Sequence, residues 1–395
     1  MLSDLLPGFI KAAEHIGKIP SLPSGEMLKL LEKSGKSDGL NAEECAALIN
    51  GTLDRNNRTL VLDFAARAKR PGDSKILLLP PLYFASHCEN TCLYCDFNDE
   101  GTRLTPGEFT GEFQALLDLG YRSIELVSSQ DPELYFKSPD FALEDQRFDI
   151  DRALEYFRTA RSLLDAAGGG MLTSNIPPLD RASLGKLKSA GLDCFLLWVE
   201  TFSPRQYVRL HAKNTPKANQ AFRLDVFEQA LESGIEHIAG AFLKGLYDWR
   251  KEEAVLYLFD RHLRKNRSKG FSIIGTPRLK GAFTASALVK DYFVSDEDYE
   301  LNIALDRILF DGLLWLQTRE TPGLNRRLLK RFGGGVIMTL DCSTAPGGYK
   351  SPSKSKAQFP VYRQDLAQAV TALEDEGFEV IFDWNSRTLS DCLKK

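Results

Sequence analysis

Several things are missing from this chain, and each absence narrows the field. No stretch approaches the ~20 consecutive apolar residues that a membrane-spanning helix needs, and the N-terminus carries no secretory h-region. Lys plus Arg (50) and Asp plus Glu (54) nearly cancel, leaving a formal net charge of −4. Neither a nucleic acid nor an anionic membrane finds an electrostatic handle there. Cysteine is scarce. There are seven in 395 residues, an odd number, which suits a reducing compartment better than a disulfide scaffold. The expectation is a cytoplasmic protein. A hydrophobic content of 43% and a charged content of 26% suit a large core under a soluble surface. The length is long for one ordinary domain but normal for an α/β barrel with extensions.

Residues 1–74 read as a helical N-terminal extension. Helical spacing runs through Glu26–Glu32, Ala42–Asn50 and Leu60–Ala68, with Asn41 as an N-cap, until Arg70-Pro71-Gly72-Asp73 breaks the pattern. From 75 to 340, apolar strand-like runs alternate with amphipathic helices. The strands are expected at Ile76–Ser86, Ser123–Val127, Met171–Asn175, Cys194–Val199, Ile238–Leu243, Phe271–Gly275, Leu313–Gln317 and Val336–Leu340. Thr105-Pro106-Gly107-Glu108 gives a capping box for the first intervening helix. Eight strands, each followed by a helix, predict an α/β fold, a (β/α)8 barrel of the TIM type. Residues 341–395 form a small C-terminal extension, a Gly/Pro/Ser/Lys-rich loop followed by a closing helix and strand. In such a barrel the site lies where strands end and the following loops begin.

Three of the seven cysteines sit in the first such loop. Cys88, Cys92 and Cys95 form C-x3-C-x2-C directly after the first strand. Three thiolates on so short a loop can converge on one inorganic centre. A [4Fe–4S] cluster held by three cysteines leaves one iron open to a small chelating molecule. Zinc competes, but closed structural zinc sites need four ligands, and no second Cys or His pair follows. Cys45 and Cys194 read as core residues.

The triplet, with Tyr94 before its third cysteine, resembles the signature of radical S-adenosylmethionine (SAM) enzymes. Later segments resemble their aromatic amino-acid lyase branch. The resemblance implies a [4Fe–4S] cluster on Cys88, Cys92 and Cys95, with SAM chelating the open iron. Ser128-Ser129-Gln130-Asp131-Pro132 stands where the branch has a Gly-Glu-Asp-Pro-like stretch for the SAM amino group, with Ser129 and Gln130 as departures. An amide oxygen can accept from an ammonium but lacks the charge that strengthens such bonds. Asn175, Glu200 in Trp198-Val199-Glu200-Thr201-Phe202, and Arg223 complete the implied SAM set with Tyr94, Arg223 facing the SAM carboxylate. Tyr207, His211 and Lys217 continue the same spacing, although packing or solvated roles serve His211 and Lys217 as well. Gly240 to Arg250 resembles the loop that approaches the adenosine.

Substrate residues are implied on the last strands. Thr276-Pro277-Arg278-Leu279-Lys280 resembles the branch's Pro-Arg-Leu-Arg, with Lys280 replacing a forked Arg. Thr318-Arg319-Glu320 matches its Thr-Arg-Glu, so that Arg319 anchors an amino-acid carboxylate. Asp341-Cys342-Ser343-Thr344-Ala345-Pro346-Gly347-Gly348-Tyr349 resembles its closing segment. Arg319, Arg278 and Ser343 are thus the implied catalytic set, and Cys342 a small residue near the pocket. Hydrogenase-maturing members of the branch carry three further clustered cysteines at the C-terminus, whereas this tail has Cys392 alone. The expected activity is Cα–Cβ cleavage of an aromatic amino acid, tyrosine first, to 2-iminoacetate and 4-cresol. It would use a reducing electron donor and a thiazole synthase as partner. The same chemistry on tryptophan, or a non-catalytic cluster-bearing barrel, are the alternatives.

Overall fold

The computed structural model describes residues 1–36, 38–68, 70–97, 100–136 and 148–393. Four helices lead: α1 (Leu2–Ala13), α2 (Ser24–Ser34), α3 (Ala42–Gly51) and α4 (Arg55–Arg67). Asn41 caps α3 as the sequence predicts, accepting from the Glu44 amide while the Glu44 side chain returns to the Asn41 amide. Sequence reading missed α1, although Leu2, Leu6 and Ala13 bury one face of it. The helix is tied to the main body where Ser3 Oγ donates to Asp225 Oδ2 at 2.8 Å.

The chain then alternates strand and helix. In order come β1 (Lys75–Leu78), β2 (Pro81–Ala85), α5 (Pro106–Asp118), β3 (Ser123–Ser128), α6 (Pro132–Tyr135), α7 (Asp151–Ala166), β4 (Met171–Asn175), α8 (Arg181–Ser189), β5 (Cys194–Glu200), α9 (Pro204–Leu210), α10 (Gln220–Glu232) and β6 (His237–Phe242). They are followed by α11 (Trp249–Arg267), β7 (Ile273–Gly275), α12 (Asp296–Leu309), β8 (Leu313–Leu316), α13 (Pro322–Phe332) and β9 (Val336–Met338). The chain finishes with α14 (Leu366–Glu374), β10 (Glu379–Ile381) and α15 (Ser386–Cys392).

The strands form one parallel sheet in the order β10-β1-β9-β8-β7-β6-β5-β4-β3-β2. All eight expected barrel strands are present, but the first is split. β1 pairs with β9, whereas β2 pairs with β3. The handover falls at Leu79-Pro80, where the Leu79 amide donates to Met338 O (2.9 Å) and Pro80 O accepts from the Glu125 amide (3.0 Å). Pro80 and Pro81 have no N–H, so an unbroken ladder cannot pass through them. The fold is a curled TIM-type barrel whose ring is completed across this broken strand.

β10 adds a further strand beside β1. From it the chain runs to Trp384, whose indole N–H donates to Leu78 O at 2.7 Å. Trp384, Leu389 and Cys392 pack with Leu77, Met171, Cys194 and Ile337 in the barrel interior. The C-terminal segment therefore fills the end where the strands start, leaving the opposite end for a site. Cys45 and Cys194 are buried core residues, as expected. Among the described residues no helix is long and apolar enough to cross a membrane.

Candidate active site

A cavity opens at the ends of the strands. Its wall includes Cys88, Cys92 and Cys95 together with Tyr94, Ser129, Gln130, Asn175, Glu200, Arg223 and Arg319. Ten of the twelve residues singled out by sequence thus share one space. Arg278 and Ser343 do not line it.

The cysteine loop is stitched to its neighbours from three sides. Ser129 Oγ bonds to His87 O, and the Glu89 amide donates to Gln130 O at 3.3 Å. Asn90 donates through Nδ2 to Gln130 Oε1 (2.9 Å) and accepts from the Lys217 amide (3.0 Å). The amide oxygen of Gln130 therefore already serves the loop. From the C-terminal segment, Gln358 accepts the Tyr83 hydroxyl (3.0 Å) and directs Nε2 toward Cys95 Sγ (3.7 Å). Among the described residues no group of three or more His, Cys, Asp or Glu is gathered tightly enough to hold a single metal ion. The three thiols instead ring a cavity, the arrangement suited to a cluster that brings its own sulfides between the irons. Burial pushes the Cys95 thiol up to about 12 and raises Cys92, while Lys217 pulls both the other way. Binding these groups as thiolates needs that positive charge and releases protons.

Glu200 ends β5 at a bulge with φ of +71°, a left-handed conformation unusual for a residue with a side chain. Its Oε1 accepts from Lys217 Nζ at 2.8 Å and from Arg223 Nη2 at 3.2 Å. Burial alone would raise the Glu200 carboxyl, but Lys217 and Arg223 bring it down to about 2. Arg223 is further aimed by Nε donating to Trp198 O at 2.8 Å. Two cations face one anion here, so the cluster of charges carries an excess positive charge into the cavity.

Tyr94 is positioned by a relay. The Nδ1–H of His211 donates to Tyr207 O (2.8 Å), which leaves Nε2 to accept the Tyr94 hydroxyl (2.7 Å). Burial, with Lys217 and Arg223 nearby, lowers His211 to about 3, so the ring stays neutral and this tautomer holds.

Arg319 stacks its guanidinium 3.4 Å above the Phe359 ring. Its Nε is buried without a hydrogen-bond partner among the described residues, and burial lowers its pKa. The neighbouring Glu320 is committed elsewhere, to Arg278 Nε at 2.9 Å and to Lys280 at 2.9 Å. Arg278 also donates to Val294 O (3.0 Å) and Asp296 (2.8 Å), spending its fork on the scaffold. Ser343 Oγ is likewise used inside the C-terminal loop, on Ala345 O and Ser353 Oγ, both at 3.0 Å. Cys342 does line the cavity, with Sγ 3.1 Å from Thr318 Oγ1.

Sequence reading gave Lys217 no firm place and assigned no site role to Glu125, Trp198, Trp315 or Gln358, all in the cavity wall. A charged residue inside the apolar strand Ile124-Glu125-Leu126-Val127 was the available signal for Glu125.

These features define a class first. Residues 82–258 match the family model of the radical SAM superfamily. Enzymes of that superfamily use a [4Fe–4S] cluster and SAM, and the thiol-ringed cavity with its charged triad fits both. More particularly, the chain is 25% identical over 319 residues to 2-iminoacetate synthase of Escherichia coli, covering 78% of this chain and 77% of that protein. It is 27% identical over 227 residues to 3-methylornithine synthase of Methanosarcina acetivorans, covering 55% and 59%. The [FeFe]-hydrogenase maturase HydG from Carboxydothermus hydrogenoformans superposes with a TM-score of 0.79 at 25% identity, over 97% of this chain and 85% of that one.

Proposed function

We propose that this protein is a radical SAM lyase that cleaves the Cα–Cβ bond of an aromatic amino acid, tyrosine first, to 2-iminoacetate and 4-cresol. The observation that carries the reading is Arg319, a half-buried guanidinium whose Nε is buried and which has no carboxylate partner among the described residues, set in the wall that also holds the three thiols. Its planar fork suits the α-carboxylate of an amino acid. The likeness to 2-iminoacetate synthase supports the choice of substrate.

Cys88, Cys92 and Cys95 would hold the cluster. The excess positive charge of Lys217 and Arg223 over Glu200 suits the SAM carboxylate, and Tyr94, Ser129, Gln130 and Asn175 line the remainder of that space. When bound, the cluster and SAM supply one-electron reductive C–S cleavage and a carbon-centred radical that removes a hydrogen atom. The chain's own task is to orient and to exclude water. Arg319 fixes the carboxylate end, Trp198 and Trp315 present aromatic surface, and the segment carrying Gln358 and Phe359 covers the cysteine loop. Arg278 and Ser343 would act as positioning residues, holding Glu320 and the C-terminal loop in place. An external reductant and a thiazole-forming partner that takes up 2-iminoacetate complete the proposal.

The test is anaerobic reconstitution with iron and sulfide, followed by dithionite, SAM and tyrosine. Tyrosine-dependent 5′-deoxyadenosine together with 4-cresol supports the lyase; cluster-loaded protein that forms deoxyadenosine without cresol overturns it. The second reading is the same chemistry on a different amino acid. It is favoured by the shorter likeness to 3-methylornithine synthase, 27% identical over 227 residues, and substitution of other amino acids in the same assay decides it.

A further inference from the structure

The cavity wall holds one carboxyl group that the proposed chemistry leaves idle. Glu125 lies in the middle of β3, two residues before Val127 and four before Ser129, and all three line the cavity. Alternate residues of a strand share a face, so Glu125 occupies a deeper layer of the barrel than the SAM-side residues at the strand end. Its strand neighbours are Pro81 and Thr173, neither of which offers a charge. The side chain is buried. The Asn175 side chain lowers its pKa somewhat against burial, while Oε1 has no hydrogen-bond partner among the described residues.

A buried carboxyl left half-satisfied is costly unless a ligand completes it. The space beside it suits one. Trp198 and Trp315, with ring centroids 5.8 Å apart, and Val127 supply apolar wall, and Arg319 supplies a carboxylate partner within the same cavity. Tyr83 lines the same cavity as Glu125 and Arg319; burial and then Glu125 raise its pKa, and Arg319 lowers it. An elongated amino acid with its carboxylate on Arg319 would direct its far end toward an unfilled acceptor.

We propose that Glu125 is a specificity-determining residue that binds a hydrogen-bond donor at the end of the substrate remote from its carboxylate. A phenolic hydroxyl and a side-chain ammonium share that chemistry. The inference rests on Arg319 as the carboxylate anchor. A neutral carboxylic acid can donate as well as accept, and burial, partly offset by Asn175, lifts this group to about 8.

Equilibrium binding to the reconstituted holoenzyme with SAM tests it, using pairs that differ in the distal donor: tyrosine against phenylalanine, and lysine against norleucine. The wild-type protein should bind the donor-bearing member of one pair at least tenfold more tightly, and the preferred pair names the donor. Glu125→Leu should abolish that preference, and Glu125→Gln should retain it for tyrosine but lose it for lysine. Unchanged SAM affinity and iron content establish that each variant is folded. Discrimination that persists in Glu125→Leu, or its absence in the wild type, overturns the proposal while leaving tyrosine cleavage intact as a separate result. Failure of all four amino acids to bind, with SAM still bound, overturns the amino-acid reading and this proposal together.

Discussion

Lys217 Nζ lies 2.8 Å from Glu200 Oε1, the same oxygen that accepts from Arg223 at 3.2 Å, and all three side chains are largely withdrawn from solvent. One carboxylate thus holds two cations on the cavity wall beside the cysteine loop.

Neutralising the shared anion should be expensive. Glu200→Gln leaves two buried cations without compensation, a loss of about 3–5 kcal/mol for breaking a buried pair. The sign with pH is set by the depressed carboxyl. Held near 2 when folded, Glu200 contributes stability that is fully present above its ordinary value and fades as pH falls toward 2. Urea unfolding at pH 7 and pH 4 should show a large gap between wild type and variant at pH 7 that shrinks at pH 4. An equal gap at both values would contradict the assignment.

Glu125 predicts the opposite slope. Its carboxyl is raised to about 8 by burial, so the folded state binds a proton that the unfolded state releases, and wild-type stability declines as pH rises from about 4.5 through 8. Glu125→Gln removes that decline. Measured by thermal unfolding, the variant should gain on the wild type between pH 5.5 and pH 9. A constant difference in Tm across this range would count against it.

Arg319 should matter for the amino acid and not for SAM. Arg319→Lys keeps the charge but loses the fork, and Arg319→Ala loses both. A charge-assisted contact is worth roughly 1.5–3 kcal/mol, so KM for the amino acid should rise by about 10–100-fold in Arg319→Ala, with SAM affinity unchanged. Equal losses for both ligands would relocate the carboxylate site.

Gln358 joins Tyr83 and Cys95 from the C-terminal segment. Gln358→Ala should loosen that cover and speed bleaching of the reconstituted cluster's visible absorbance in air by several-fold, with little change in global stability. Bleaching at the wild-type rate would show that the segment does not shield the loop.

Local patterns in the sequence determined a large part of this protein. Strand and helix alternate because apolar periodicity and capping residues such as Asn41 and Thr105 act over a few positions. The three cysteines announce a shared centre because their spacing alone keeps them on one loop. The tertiary structure decided what depends on partners distant in the chain. Pro80 and Pro81 split the first strand because β9 takes its lower half and β3 its upper half. Arg278 and Arg319 both carry guanidinium groups near strand ends, yet Glu320 and Asp296 occupy the first, whereas Phe359, 40 positions along from the second, offers it a stacking face and no counter-charge. Glu125 became conspicuous because the fold buries it facing a cavity and leaves one oxygen unmatched. Whether a polar group is free to act is settled by what packs against it, and in this barrel those neighbours come from elements far apart in sequence.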